Sequence, residues 1–272
     1  MASPLDTTVP KTRIRLVARE AWSSVEVRWS VALLSLVVVS EIAFLVDGLV
    51  RGTLASLMVL AVLLTVGTLR RSRPSGRAAI ALSVISLLRT LSIALPSLLI
   101  PTWVWYAEIG ALVIVATLLG ARLIGLDPRA LGIRPAPPVD TLLAGGAGFP
   151  LGLLGLALIG PLPLGMDRSI ATLVLASLAV IIGAAVAEEL VFRGLIQNVA
   201  ESIFPRSGVA VSAGLSTLLY LATLNPRYII LMAALAVVFG SLTRRYGSVV
   251  PAIACHATLI WSQLILWPAL LP

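Results

Sequence analysis

Residues 171–194 read ATLVLASLAVIIGAAVAEELVFRG and join a long apolar run to a compact charged cluster. The apolar part belongs to a run over about residues 169–187. That length is sufficient for a helix that crosses the hydrocarbon core of a bilayer, which needs roughly 17–25 residues. The run ends at Glu188 and Glu189, and Arg193 follows four residues after the second glutamate. The stretch therefore predicts a membrane helix that carries charge at its end.

Eight further apolar runs surround this helix in the sequence. They cover about residues 30–50, 52–69, 78–100, 103–124, 140–161, 208–224, 228–243 and 248–271. Apolar residues make up 59% of the 272 residues and charged residues 12%, about half the share that is usual in soluble domains. One soluble core could not enclose so much apolar surface. The sequence predicts an all-α, polytopic helical membrane protein with eight or nine transmembrane helices.

The net charge of +8 follows from 20 Lys+Arg against 12 Asp+Glu. In a soluble protein this excess would indicate nucleic-acid binding. Here the basic residues lie in short connections between apolar runs, so they indicate membrane orientation, the lipid bilayer as partner and no nucleic acid. Nine spans with a cytoplasmic N-terminus place sixteen of the 20 basic residues inside and three outside. Arginine-rich usage with a single lysine indicates a prokaryotic plasma membrane.

The hydrophilic segment Leu126–Pro138 divides the membrane region into two parts. We interpret residues 1–29 as a cytoplasmic N-terminal arm and residues 30–124 as accessory transmembrane helices. Residues 125–272 are the predicted catalytic or binding core.

Four ionisable residues interrupt the apolar runs before this core, and one of them, Asp47, lies near a run end, where solvation at the interface is the simpler interpretation. Ionisable groups inside a membrane are costly and are either functional or paired. Glu41 and Arg89 lie deep in their runs and are interpreted as a structural ion pair between helices. Glu108 lies near a run end, where solvation at the interface is the simpler interpretation.

Within the charged cluster, Glu189 and Arg193 are four residues apart and can pair on one helix face. Glu188 points about 100° away, so this bridge leaves it unpaired. A glutamate held in this way can act as a general base on water. The alternative is an ordinary helix end whose charges are solvated at the cytoplasmic interface.

The single cysteine and the single histidine are adjacent, as Cys255 and His256. One cysteine excludes an intrachain disulfide and a thiolate zinc cluster. We interpret Cys255 as a small apolar residue of the core. For His256, a packing role and a catalytic role both stay open.

The motif EELVFRG resembles the first motif of the CAAX protease and bacteriocin-processing family, the Rce1-like intramembrane endopeptidases. That motif has two glutamates, three further residues and an arginine. LGIRPAPPVDTLLAGGAGFPLGL (131–153) resembles the family's linker and the following helix. STLLYLATLNP (Ser216–Pro226) resembles the second-motif helix, and GSVVPAIACHATLIW (Gly247–Trp261) resembles the last-motif helix. The resemblance covers roughly residues 126–265.

Two positions depart from the family pattern. The second motif has an aromatic residue four positions before a histidine. Tyr220 matches the aromatic residue, but Leu224 stands at the histidine position, between the polar residues Thr223 and Asn225. The last motif has a histidine followed four positions later by an asparagine. His256 matches the histidine, and Ile260 replaces the asparagine.

The resemblance implies an intramembrane endopeptidase in which Glu188 activates water against a peptide bond near the cytoplasmic face. The implied catalytic residues are Glu188, Glu189, Arg193 and His256. Tyr220, Thr223, Leu224, Asn225 and Ile260 are predicted to line the same cavity. The implied substrate is a peptide or membrane-protein segment, with a prenylated C-terminal peptide as one option. Divalent zinc would have Glu188 and His256 as ligands, fewer than the usual three, so no cofactor is assigned.

Two other functions stay open. The first is an inactive family member that binds membrane peptides or regulates a partner, since the second histidine and the asparagine are missing. The second is a transporter subunit that uses Glu41, Arg89, Glu108 and the glutamate pair as a polar path, although no internal repeat supports it. For either peptide-handling function we expect Glu188 to lie within about 7 Å of His256, a reach that one bridging water allows.

Overall fold

The computed structural model describes residues 24–95, 99–167 and 169–271, and these residues are all-helical, with no strand among them. Eight helices are long and apolar enough to cross a membrane, and a ninth is shorter. In chain order they are α1 (Val25–Val46), α2 (Gly48–Leu69), α3 (Pro74–Ala94), α4 (Thr102–Leu123), α5 (Pro138–Ile159), α6 (Ile170–Ile203), α7 (Gly208–Thr223), α8 (Pro226–Tyr246) and α9 (Val250–Leu270). The predicted class of integral membrane protein is confirmed. Residues 1–23 of the predicted arm lie outside the described residues.

Each predicted apolar run forms one of these helices, but α6 is much longer than its run. It has 34 residues and continues through the charged cluster to Ile203. Every residue from Leu190 to Ile196 is buried. The interpretation of the cluster as a solvated helix end is therefore wrong, because protein rather than solvent surrounds it.

Two close helix crossings position the helices that carry the cluster and the histidine. On α4 and α6, a Cβ added to Gly110 would lie 2.1 Å from Gly183 Cα. On α5 and α9, a Cβ added to Gly148 would lie 1.9 Å from Thr258 Oγ1. Small residues allow such backbone contact between membrane helices. The Thr258 hydroxyl also donates to Gly145 O at 2.6 Å, which ties α9 to α5.

The largest buried apolar cluster joins the N-terminal helices to α6. It includes Val37 of α1, Ile85 of α3, Val113 of α4 and Phe192 of α6. The helices predicted as accessory therefore pack directly on the helix that carries Glu188. A second cluster lies between α8 and α9 and contains Cys255, which is 4% exposed. This agrees with the interpretation of that cysteine as an apolar core residue.

Glu41 and Arg89 form a buried ion pair between α1 and α3, as predicted. Arg89 Nε donates to Glu41 Oε2 at 2.9 Å, and Arg89 Nη2 donates to the same oxygen. The exposed fractions are 2% for Glu41 and 8% for Arg89. The guanidinium also lies over the Phe44 ring, 4.9 Å from its centroid. These charges are thus satisfied by each other within the protein.

Glu41→Gln is expected to lower the free energy of unfolding by about 3–5 kcal/mol, because it leaves the Arg89 charge buried without its partner. The change can be measured by denaturant unfolding in mixed micelles. Glu108→Gln is the matched control, since Glu108 is exposed. Equal stability of the two variants would contradict a structural role for the pair.

Membrane orientation gives a second prediction. The odd number of crossings depends on α7, whose apolar length is short for a bilayer. The arginine distribution predicts a cytoplasmic N-terminus and an external C-terminus. Reporter fusions at the two ends should therefore give signals from opposite sides of the membrane. Signals from the same side would show that α7 does not cross.

Candidate active site

The charged cluster lies on an irregular part of α6. Two π-helical segments, Ile181–Val186 and Leu190–Ile196, flank a three-residue α-helical segment, Ala187–Glu189. π-Helical turns interrupt the regular hydrogen-bond pattern and occur often at functional sites. Both glutamates therefore lie in a short regular segment between two departures from α-helical geometry.

Glu189 connects α6 to α9. Its side chain is fully buried, and its Oε2 lies 3.2 Å from Arg193 Nε. This is the pairing that the i, i+4 spacing predicted. The other oxygen, Oε1, accepts a hydrogen bond from His256 Nδ1 at 2.9 Å. One carboxylate therefore holds both a cation on its own helix and the histidine of another helix.

Aromatic and backbone groups of α8 complete this arrangement. Arg193 lies over the Phe239 ring, 5.6 Å from its centroid, and its Nη2 lies 3.4 Å from Ala236 O. The His256 ring stacks on the same phenylalanine, with 5.8 Å between ring centroids. Because its Nδ1 donates to Glu189, His256 keeps Nε2 for other partners.

Glu188 has a different environment from Glu189. Its Oε2 accepts a hydrogen bond from the Tyr220 hydroxyl at 2.8 Å. Within the described part of the chain it makes no ion pair. The phenols of Tyr106 and Tyr228 lie within electrostatic range of its carboxylate. The two glutamates thus differ in their ion pairing. The charge of Glu189 is balanced by Arg193, whereas Glu188 has no ion-pair partner among the described residues.

A small cavity brings these side chains together. It is lined by Glu188, Glu189, Arg193, Ser216, Tyr220, Met232, Leu235, Ala236, Phe239 and His256. Its volume is about 10 Å³, which approximates the space that one water molecule requires. A peptide cannot enter a space of this size. Access for a larger ligand therefore requires separation of the surrounding helices.

Five of the residues named from sequence line this cavity, and four do not. Glu188, Glu189, Arg193, Tyr220 and His256 are brought together. The other four, Thr223, Leu224, Asn225 and Ile260, are absent from its lining. The histidine contacts Glu189 rather than Glu188, although all three share the cavity.

The connection between α7 and α8 explains why three residues of the second-motif segment lie outside the cavity lining. Leu224 has a left-handed backbone, with φ of 51°, and is 78% exposed. Asn225 caps α8 by accepting from Tyr228 N at 3.2 Å, and its Nδ2 donates to Leu158 O. Thr223 donates to Tyr220 O. The expectation that Leu224 lines the cavity is corrected, because the chain has already turned away there.

Ile260 also differs from expectation. It lies one helical turn beyond His256 on α9 and packs among partly buried apolar residues of two clusters. The residues of these clusters include Trp261 and Leu259, and Ile260 is not among the residues that line the cavity. Its side chain therefore contributes to helix packing.

Several cavity residues were not identified from sequence. Met232, Ala236 and Phe239 recur at helical spacing on α8, a pattern that indicates only a buried helix face. Ser216 begins the segment that resembles the second motif, but the motif gives it no role. Tyr106, which lies within electrostatic range of Glu188 but outside the cavity lining, belongs to α4, within the segment interpreted as accessory. Only the folded chain places these residues beside the glutamates.

The side chains present do not fit a zinc ion. Among the described residues, no group of three or more His, Cys, Asp and Glu side chains is arranged to hold a metal. Glu189 already binds Arg193 and His256, so Glu188 would be the main unoccupied donor. A catalytic zinc usually takes three protein ligands.

Comparison with known proteins finds one family match within the chain. Residues 170–261 match the family described as Type II CAAX prenyl endopeptidase Rce1-like. No curated protein and no solved structure matches the chain. The matched segment is about a third of the sequence and contains α6, α7, α8 and the histidine-bearing part of α9. The resemblance found in the motifs is therefore confirmed over the segment that carries both glutamates and His256.

Proposed function

We propose that this protein is an intramembrane endopeptidase related to the CAAX-processing family, in which Glu188 activates water against a peptide bond. The observation that supports this proposal most strongly is the different bonding of the two glutamates. Glu189 is bound by Arg193 and His256, whereas the Tyr220 hydroxyl is the only hydrogen-bond donor to the Glu188 carboxylate among the described residues. An unpaired carboxylate in a water-sized cavity has the properties of a general base.

In the proposed reaction, Glu188 accepts a proton from water as the water oxygen attacks the peptide carbonyl carbon. The carbonyl π electrons move to oxygen and form a tetrahedral oxyanion. Glu188 then gives the same proton to the peptide nitrogen as the carbon–nitrogen bond breaks. The products are a carboxyl group and an amine, and the glutamate returns to its carboxylate form. No metal or covalent enzyme intermediate takes part in these steps.

The other polar residues would position the reacting groups. Tyr220 fixes the Glu188 carboxylate through its 2.8 Å hydrogen bond. Glu189 holds His256 by its Nδ1, which leaves Nε2 able to contact the water or the oxyanion. Arg193 balances the charge of Glu189, so that one negative charge, on Glu188, is available for proton transfer.

The substrate proposed is a peptide or a membrane-protein segment that reaches the cavity from within the bilayer. A prenylated C-terminal peptide is the substrate that the family name suggests. Cleavage near the cytoplasmic face follows from the proposed orientation, with the basic connections in the cytoplasm of a prokaryotic cell. Admission would require α6, α8 and α9 to separate around the 10 Å³ cavity.

An inactive, peptide-binding family member is the second candidate. It is favoured by Leu224 and Ile260, which occupy the positions of two family site residues and are not among the residues that line the cavity.

The residues proposed as a polar path for a transporter subunit do not form a continuous path. Glu41 and Arg89 bind each other, and Glu108 is exposed and is not among the residues that line the Glu188 cavity.

Peptide hydrolysis by the purified protein separates the two peptide-handling candidates. The full chain in nanodiscs would be incubated with quenched fluorescent peptides, with and without a prenyl group. Each reaction would be run with and without a chelator. We expect cleavage that the chelator does not abolish. Binding of the peptides without any cleavage would support the inactive family member.

Tyr220→Phe tests the positioning of the glutamate. The substitution removes the only described hydrogen-bond donor to Glu188 and keeps the ring that contacts Tyr228 edge to face. We expect kcat to fall by about tenfold, which corresponds to roughly 1.4 kcal/mol, with a smaller change in KM. An altered KM with unchanged kcat would assign Tyr220 to substrate binding instead.

A further inference from the structure

A second, open cavity lies where the α2–α3 connection meets the end of α4. Its volume is about 520 Å³. It is lined by Arg71, Ser72, Arg77, Leu119, Arg122, Leu123, Ile124 and Gly125. None of these residues lines the cavity around Glu188. The space is therefore a separate feature, on the side of the bundle where basic connections gather.

The three arginines of this cavity carry uncompensated charge. Among the described residues, Arg71, Arg77 and Arg122 have no carboxylate partner, whereas the neighbouring Arg70 binds Glu26 at 2.6 Å. Three guanidinium groups of the same charge that line one cavity repel one another, so an anion bound between them would be stabilised.

The remaining walls indicate what kind of anion fits. Leu119 and Leu123 of α4 are 57% and 54% exposed and continue from the arginines along the lipid-facing side of the helix. Guanidinium groups bind phosphate oxygens well, often through two parallel hydrogen bonds. A free phosphate ion would use only the arginines. A phospholipid would use the arginines and the leucines together.

We propose that this cavity binds the head group of an anionic phospholipid. The phosphate lies among Arg71, Arg77 and Arg122, and an acyl chain lies against Leu119 and Leu123. Basic pockets between membrane helices on the cytoplasmic side are suited to anionic lipids. Membrane orientation alone explains arginines in the connections, but not an open cavity lined by three arginines that have no carboxylate partner among the described residues.

Two triple variants test this site with the same change of net charge. The cavity variant replaces Arg71, Arg77 and Arg122 with Gln. The control variant replaces Arg129, Arg206 and Arg245 with Gln. All three control arginines are exposed and lie outside the cavity lining. Native mass spectrometry of the full chain in neutral detergent would measure the binding of added phosphatidylglycerol and phosphatidylcholine.

We expect the wild-type protein and the control variant to prefer phosphatidylglycerol. The cavity variant should bind it at least tenfold more weakly, because each basic residue near a membrane surface contributes measurably to anionic-lipid binding. Equal affinity of the two variants, or no preference between the lipids, would overturn the proposal. Inorganic phosphate at millimolar concentration should not displace the lipid. Displacement would show that the site takes phosphate alone.

A single variant keeps the test valid if the cavity variant does not fold. Arg122 is exposed in the last turn of α4, so Arg122→Glu places a negative charge in the cavity without changing a buried residue. It should weaken phosphatidylglycerol binding several-fold, and unchanged binding would contradict the proposal. Measurement of lipid binding does not involve peptide hydrolysis, so it tests the lipid site independently of the proposed catalytic function.

Discussion

Glu188→Gln is expected to reduce kcat for peptide hydrolysis by about 10²–10⁴-fold, the contribution of a positioned general base. The amide has the shape of the carboxylate and can still accept the hydrogen bond from Tyr220, so the cavity should keep its geometry. It cannot accept the proton of an attacking water. The variant should therefore bind peptide with near-normal affinity and fail to turn it over. Steady-state kinetics in nanodiscs would measure both quantities.

Glu108→Gln is the matched control for this experiment. It makes the same chemical change on another membrane helix, at an exposed position outside the cavity lining. Its kcat should remain within about twofold of the wild-type value, since it loses no general base. Similar losses in the two variants would show that the effect arises from the membrane helices in general rather than from Glu188.

Glu189→Ala is expected to have the second-largest effect, and it should act on both stability and activity. The substitution leaves Arg193 and His256 without the carboxylate that binds them, and both are buried, with exposed fractions of 5% and 3%. Removing one partner of a buried ion pair costs about 3–5 kcal/mol. The free energy of unfolding should fall by that amount, and hydrolysis should fall because His256 loses its orientation.

Substitutions of the two glutamates should thus differ in their effect on stability. Glu188→Gln should reduce turnover at nearly constant stability, whereas Glu189→Ala should reduce both. Glu201→Gln is the control on the same helix, because Glu201 accepts only a partly buried hydrogen bond from Gln197. It should change stability by less than about 1 kcal/mol. A Glu189→Ala protein as stable as this control would contradict the structural role of Glu189.

The amino-acid pattern was sufficient to predict the helices and one of the two site interactions made by Glu189. Long apolar runs predict membrane helices because burial in lipid requires about twenty apolar residues and internal hydrogen bonds. The Glu189–Arg193 pair follows from helical periodicity, which is local. The Glu189–His256 hydrogen bond spans 67 residues and depends on how α6 and α9 cross. Only the family resemblance indicated that these positions would meet.

The positions of site residues outside the motifs could not be predicted either, because they also depend on contacts between helices that are distant in the sequence. Tyr106 approaches Glu188 from α4 because glycines allow α4 and α6 to touch at Gly110 and Gly183. No periodicity in the amino-acid sequence indicates that these two glycines are in contact. Leu224 was predicted to lie in the site from motif spacing alone. The spacing fails there because α7 ends at Thr223, Leu224 has a left-handed backbone and Asn225 already caps α8.

The most direct test of the central claim is hydrolysis of a membrane-inserted peptide in ¹⁸O-labelled water, followed by mass spectrometry of the fragments. Wild-type protein and Glu108→Gln should both yield a fragment whose new carboxyl group contains ¹⁸O, because water is the proposed nucleophile. Glu188→Gln should yield no labelled fragment above background. An intact peptide after incubation with the wild-type protein, or equal labelling by Glu188→Gln, would contradict Glu188 as the base that activates water.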